Sequence, residues 1–99
     1  MTRYDGVIEA VRYRGGKIDM VRAYERRGAT FSDRVLLNRK TLIERIKQSK
    51  RFVTGERKQF MASTFEIGKL VNLLDRDDVQ IISTRDQSDQ DELEGVPVF

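Results

Sequence analysis

From Gly6 to Arg26 the apolar positions recur with a period of two on either side of Gly15-Gly16, which is the pattern of a β-hairpin. The diglycine suits a type I′ turn, whose two central residues both need positive φ. With that turn, cross-strand partners carry numbers summing to 31. One face then pairs Tyr13 with Ile18, Val11 with Met20, Glu9 with Arg22 and Val7 with Tyr24. The other pairs Arg12 with Asp19, Ala10 with Val21 and Ile8 with Ala23. Opposite charges and apolar side chains fall together, each pair contributing roughly 0.2–1 kcal/mol relative to Ala–Ala. A slip of one residue would carry an apolar set to the wrong face.

Beyond the hairpin, Gly28 permits a turn, and a third strand is expected over Thr30 to Leu37. Its alternation puts Phe31, Val35 and Leu37 on one side and Ser32, Arg34 and Leu36 on the other, with Asp33 interrupting the apolar side. A helix is expected over about 39–49. Asn38 is a favoured N-cap, and Leu37 and Leu42 have the spacing of a hydrophobic staple. Leu42, Ile43 and Ile46 form its docking stripe, while Lys40, Glu44 and Lys47 point to solvent. Lys50 to Thr54 and Gln59 to Glu66 read as strands joined by a turn at Gly55 to Lys58, with Phe60, Met61 and Phe65 in the second. Gly68 marks a bend or bulge. Leu70 to Leu74 and Val79 to Ser83 read as short strands around the turn Asp75-Arg76-Asp77-Asp78. Residues 84–94 are acidic, offer little to bury, and are expected to be mobile. Gly95 to Phe99 is apolar enough to return to the body, with Pro97 restricting it to an edge or extended coil.

The sum is one α+β domain over residues 1–99: a mostly antiparallel curled sheet or small open barrel of six to seven short strands, packed by one helix. Apolar residues fall on both faces of the hairpin, more than one short helix covers. This leads to the expectation of a homodimer, in which a second copy meets the uncovered face.

Composition narrows the chemistry. The 99 residues contain no Cys, His or Trp, which removes disulfides, thiolate metal sites, Cys nucleophiles and the Ser-His-Asp arrangement. No phosphate-cradling glycine loop is present, since Gly15-Gly16-Lys17 is a hairpin tip. Most carboxylates stand in turns, where burial does not tune them; Glu9 and Glu66 are the exceptions within strands. The domain is therefore expected to be no enzyme, a carboxylate-dependent one being a minor alternative. The acidic groups Asp75, Asp77, Asp78 and Asp86, Asp89, Asp91, Glu92, Glu94 lack the spacing of an EF-hand loop. No catalytic residue, metal ligand or cofactor site is assigned. No apolar run reaches membrane-spanning length, and a cytoplasmic protein is the default expectation.

Charge adds one positive feature. Residues 1–60 hold sixteen Lys/Arg against seven Asp/Glu, while residues 61–99 hold three against nine. The simplest account is that the two halves face each other in the fold. The functional account places an anionic partner on the hairpin through Arg12, Arg14, Lys17, Arg22, Arg26 and Arg27. RNA or single-stranded nucleic acid is the alternative within that account, with phosphates neutralised by these cations and bases stacked on Tyr13 and Tyr24. Both tyrosines share a face with Val7, Val11, Ile18 and Met20, however, which reads first as core.

Overall fold

The computed structural model describes residues 4–28, 30–57, 65–76, 79–85, 88 and 90–99. The expected positions of Lys58, Phe60 and Met61, of Asp77 and Asp78, and of Asp86 and Asp89 lie outside the described residues. The elements are β1 (Gly6–Arg14), β2 (Lys17–Arg27), β3 (Thr30–Phe31), β4 (Val35–Asn38), α1 (Arg39–Lys47), β5 (Phe52–Arg57), β6 (Phe65–Leu70), β7 (Asn72–Arg76) and β8 (Val79–Ser83). One sheet runs in the order β3-β2-β1-β5-β6, with β4 also on β2, and β7-β8 form a second, two-stranded sheet. The larger sheet has two ends among the described residues, so it is not a closed barrel. It is mixed: β5 pairs with β1 in parallel, through Gly6–Phe52, Val7–Val53 and Ile8–Thr54, while its other pairings are antiparallel.

The hairpin turns at Gly15 (φ 60°) and Gly16 (φ 80°), as its sequence requires. Its two ends keep the expected register, with Val7 opposite Tyr24, Ile8 opposite Ala23, and Tyr13 opposite Ile18. Its middle does not. Val11 stands opposite Val21 rather than Met20, Ala10 opposite Arg22, and Arg12 opposite Met20. Two β-bulges produce this: Glu9 is the extra residue in β1, and Asp19 the extra residue in β2. Each bulge switches the parity of its strand. Ile8, Val11 and Tyr13 thereby come to one face with Ile18, Val21 and Ala23, which strict alternation would divide between two faces. Burial of these residues together outweighs the local ladder bonds lost at two bulges, because register follows the buried set. Glu9 is consequently not opposite Arg22, whereas bulged Asp19 still reaches Arg12, whose Nη2 lies 2.9 Å from its Oδ2.

A third irregularity splits the expected strand over Thr30 to Leu37. Arg26 faces Phe31, but Ala23 faces Val35, which leaves one residue extra around Asp33. Phe31 and Leu37 therefore lie on opposite faces of the sheet, not on the same one.

The helix begins as its capping residues dictate. The Asn38 side chain accepts from the Thr41 N–H at 2.8 Å, and Leu37 and Leu42 are both buried. It ends at Lys47, two residues earlier than expected, in a Schellman arrangement: Lys50 N donates to Arg45 O and Ser49 N to Ile46 O. Ser49 holds the left-handed C′ position at φ 67°. This cap and the Arg51 N–H bond to Asp5 use up Lys50 and Arg51, so β5 starts at Phe52 rather than Lys50. Gly55 lies inside β5 rather than in a turn, whereas the bulge expected at Gly68 is present in β6.

The sheet separates two clusters. On the helix face, Ile8, Val11, Ile18, Val21, Ala23 and Leu37 pack with Leu42, Phe52, Val71, Ile82 and Leu93. On the far face, Val7 and Tyr24 pack with Val53, Phe65, Phe31 and Tyr4. The apolar residues that prompted the expectation of a dimer are thus covered within one chain.

Candidate anion-binding face

The bulges also sort the charges. Arg12 stands opposite Met20 and Arg14 opposite Lys17, each one residue away from a helix-face pair, so all these side chains belong to the far face. Arg22 and Arg26 alternate with Val21 and Ala23 on β2 and belong to the far face as well. Strict alternation would divide Arg12, Arg14 and Lys17 from Arg22 and Arg26; the folded hairpin brings all five together. From Lys17 to Arg26 they span roughly 25 Å at the rise of a β-strand. Arg27, the sixth cation chosen from the sequence, turns to the helix side. There it lines a cleft of about 230 Å³ with Asp5, Glu25, Arg45, Lys50 and Phe52, which Arg26 also borders.

Arg34, which follows the hairpin cations in the sequence, joins the far face because of the irregularity at Asp33. Its Nε lies 2.6 Å from Glu9 Oε1 and donates to the Tyr24 hydroxyl at 3.3 Å. That hydroxyl in turn donates to Glu9 Oε2 at 3.0 Å. The bond to Tyr24 and the Glu9 carboxylate raise Arg34 above the ordinary guanidinium range, so it stays charged throughout. The carboxylates paired with these six cations among the described residues are Glu9 and Asp19, which hold Arg34 and Arg12. Among the described residues no carboxylate pairs with Arg14, Lys17, Arg22 or Arg26.

The aromatic rings of this face are roofed by arginine. The Arg22 guanidinium carbon lies 4.6 Å from the Phe99 ring centroid and that of Arg12 5.8 Å. Arg26 lies 4.7 Å from Phe31 and 5.6 Å from Tyr4, and its Nε donates to Tyr4 O at 2.9 Å. Phe99 reaches its place because the chain end runs along β1 beyond the stretch Gly6 to Ile8 that β5 pairs. Val11 N donates to Pro97 O and Phe99 N donates to Val11 O, both at 2.9 Å, beside a parallel bridge from Val98. A guanidinium stacked on a ring keeps its in-plane N–H groups free for an oxyanion. Tyr24 is 2 % exposed, and the Tyr13 hydroxyl accepts from Leu93 N at 3.1 Å beside the helix-face core. Neither offers a platform for a base.

The two halves of the chain meet less than their charges suggest. Among the described residues one ion pair joins them, Arg39 to Asp91. Asp91 is buried; Oδ2 also accepts from Ile18 N at 2.8 Å, and Oδ1 from Ile82 N at 3.0 Å. Burial lowers the Arg39 pKa, though not enough to discharge a guanidinium. The other pairs of the acidic half stay inside it: Glu94 with Lys69 and Arg85, and Glu92 with Arg85. Lys69 first and Arg85 second hold the Glu94 carboxyl below the usual carboxylate range. No carboxylate of the acidic half pairs with a cation of the basic face among the described residues. Among the described residues no group of three or more acidic side chains could hold a metal ion. No helix among the described residues is long and apolar enough to cross a membrane. Comparison with protein-family models, with curated proteins and with solved structures finds no match.

Proposed function

We propose that this domain is a non-catalytic binding module that takes an extended anionic partner along the far face of its sheet. The observation that carries the reading is the gathering of Arg12, Arg14, Lys17, Arg22 and Arg26 on one face, joined by Arg34. Such a surface attracts polyanions and releases their counterions on binding, so affinity falls steeply with salt. The test is retention on immobilised heparin at increasing salt. Wild type elutes late; Arg22→Glu with Arg26→Glu elutes at markedly lower salt; Arg27→Gln, on the helix side, elutes near wild type. Equal elution of all three proteins refutes the reading. Deleting residues 85–94, the obvious way to unmask a basic surface, is not a clean test, because it removes buried Asp91.

Self-association is a separate expectation with its own support. The Leu36 side chain on β4 is 58 % exposed, and β4 has no partner on its outer edge among the described residues. Sedimentation velocity across a wide concentration range decides it, and a monomer at the highest concentration removes it.

A further inference from the structure

The far face has a chemistry more specific than positive charge. Its rings are engaged before any ligand arrives: Phe99 by Arg22 and Arg12, and Phe31 and Tyr4 by Arg26. Tyr24 is buried beneath the face. A ligand that stacks bases would have to displace arginine from aromatic rings, and a protein ligand would need an apolar anchor site. The rings that could supply one lie under guanidinium groups; among the described residues the exposed apolar side chains of this face are Leu36 on β4 and, three strands away from the arginines of β2, Ile67 and Leu70 on β6. What remains open is the Arg22 edge together with the Nη donors that Arg12 and Arg26 do not spend on Asp19 and Tyr4 O, and such donors match the oxygens of a phosphate. Arg12 and Arg14 hold successive same-face positions of β1, roughly 6.6 Å apart, and Arg22 and Arg26 every second one on β2, about 13 Å apart. A phosphodiester chain, whose charges are separated by a whole sugar, meets such cations at one phosphate or at every second phosphate, whereas inorganic polyphosphate packs its charges far closer.

We infer that the anionic partner is single-stranded nucleic acid, held through its phosphates by Arg22, Arg26, Arg12 and the cations of the hairpin tip, with its bases left in solvent. This rests on the reading of the far face as an anion-binding surface. Phe99 is a positioning residue in it. The ring lies against both the Arg12 and Arg22 guanidinium groups, where it restrains them without consuming the in-plane donors of Arg22.

The experiment is fluorescence anisotropy with labelled oligo-dT and oligo-dA of one length, titrated at several salt concentrations with the full chain. Because no base is read or stacked, the two bind within about threefold of each other. Four to six neutralised phosphates give a log–log salt slope of about −3 to −4. Arg22→Gln lowers affinity and flattens the slope by about 0.7. Phe99→Ala lowers affinity several-fold with the slope unchanged, since no charge is lost. Phe99→Leu, which keeps an apolar side chain but no ring face, binds as weakly as Phe99→Ala while circular dichroism confirms the fold. Four results overturn the inference: a tenfold preference between dT and dA, a Phe99→Leu variant that binds like wild type, competition by inorganic polyphosphate or an acidic peptide as effective per charge as the oligonucleotide, or retention on heparin without nucleic-acid binding. That last result leaves the anion-binding reading standing, whereas failure to bind any polyanion removes both.

Discussion

Replacing Asp91 by alanine tests the account of how the acidic half is tied down. The substitution strands two buried backbone donors, Ile18 N and Ile82 N, which the carboxylate accepts at 2.8 and 3.0 Å. A buried donor left without an acceptor costs about 1–3 kcal/mol. It also removes the partner of Arg39, whose side chain is 24 % exposed. A fully buried charge stripped of its partner costs about 3–5 kcal/mol; water at the exposed quarter brings this to roughly 1–2 kcal/mol. The total is about 3–8 kcal/mol, against about 5–15 kcal/mol for the whole stability of a domain this size. In urea, with m about 2 kcal/mol per molar, the midpoint falls by roughly 1.5–4 M. Arg39→Met costs less, because Asp91 keeps both backbone donors. The double variant Arg39→Met, Asp91→Ala is less unstable than the two losses added, since no orphaned cation remains. A loss under about 1 kcal/mol for Asp91→Ala at unchanged m refutes the assignment of Asp91 as the tie.

Three further outcomes are expected. Ser49→Gly relieves an L residue of its left-handed conformation at φ 67° and raises stability by about 0.5–1 kcal/mol, read as a higher urea midpoint; an unchanged midpoint argues against strain there. Asn38→Ala removes the acceptor of Thr41 N and lowers stability by about 1 kcal/mol, with a matching loss of amide protection in the first turn of α1. Glu94→Gln tests the pH dependence. A carboxyl pKa depressed by folding gives stability that is complete above the unfolded chain's ordinary carboxylate range and is lost as pH falls through the folded value. The melting-temperature gap between wild type and Glu94→Gln is therefore open at neutral pH and closes in acid, and a gap that persists in strong acid contradicts the Lys69–Glu94–Arg85 cluster as its source.

The residues that spoke for themselves are those whose structure is decided by near neighbours. Gly15-Gly16 turns because both residues adopt positive φ at little cost, and Asn38 starts a helix because its side chain meets an N–H three residues on. Val79–Ser83 forms β8 with its bounds as read, and Arg12 finds Asp19. The site cations were legible as a list but not as a surface: alternation assigned Arg12 and Arg22 to opposite faces, and Phe99 carried no signal in its spacing. Asp91 looked like one more acid in a polar run, because the groups that hold it, Ile18, Arg39 and Ile82, come from three separate elements.

What the amino-acid order determined alone is therefore local: the turn, the helix cap and staple, and the strand ends around them. Tertiary structure decided where the strands bulge, that β5 joins β1 in parallel, and which side each arginine takes. The physical reason is that an extra residue in a strand leaves no mark in the polar and apolar pattern. Its small local cost is recovered when Ile8, Val11, Ile18 and Val21 meet the helix together, and the same slip turns the hairpin arginines to one face.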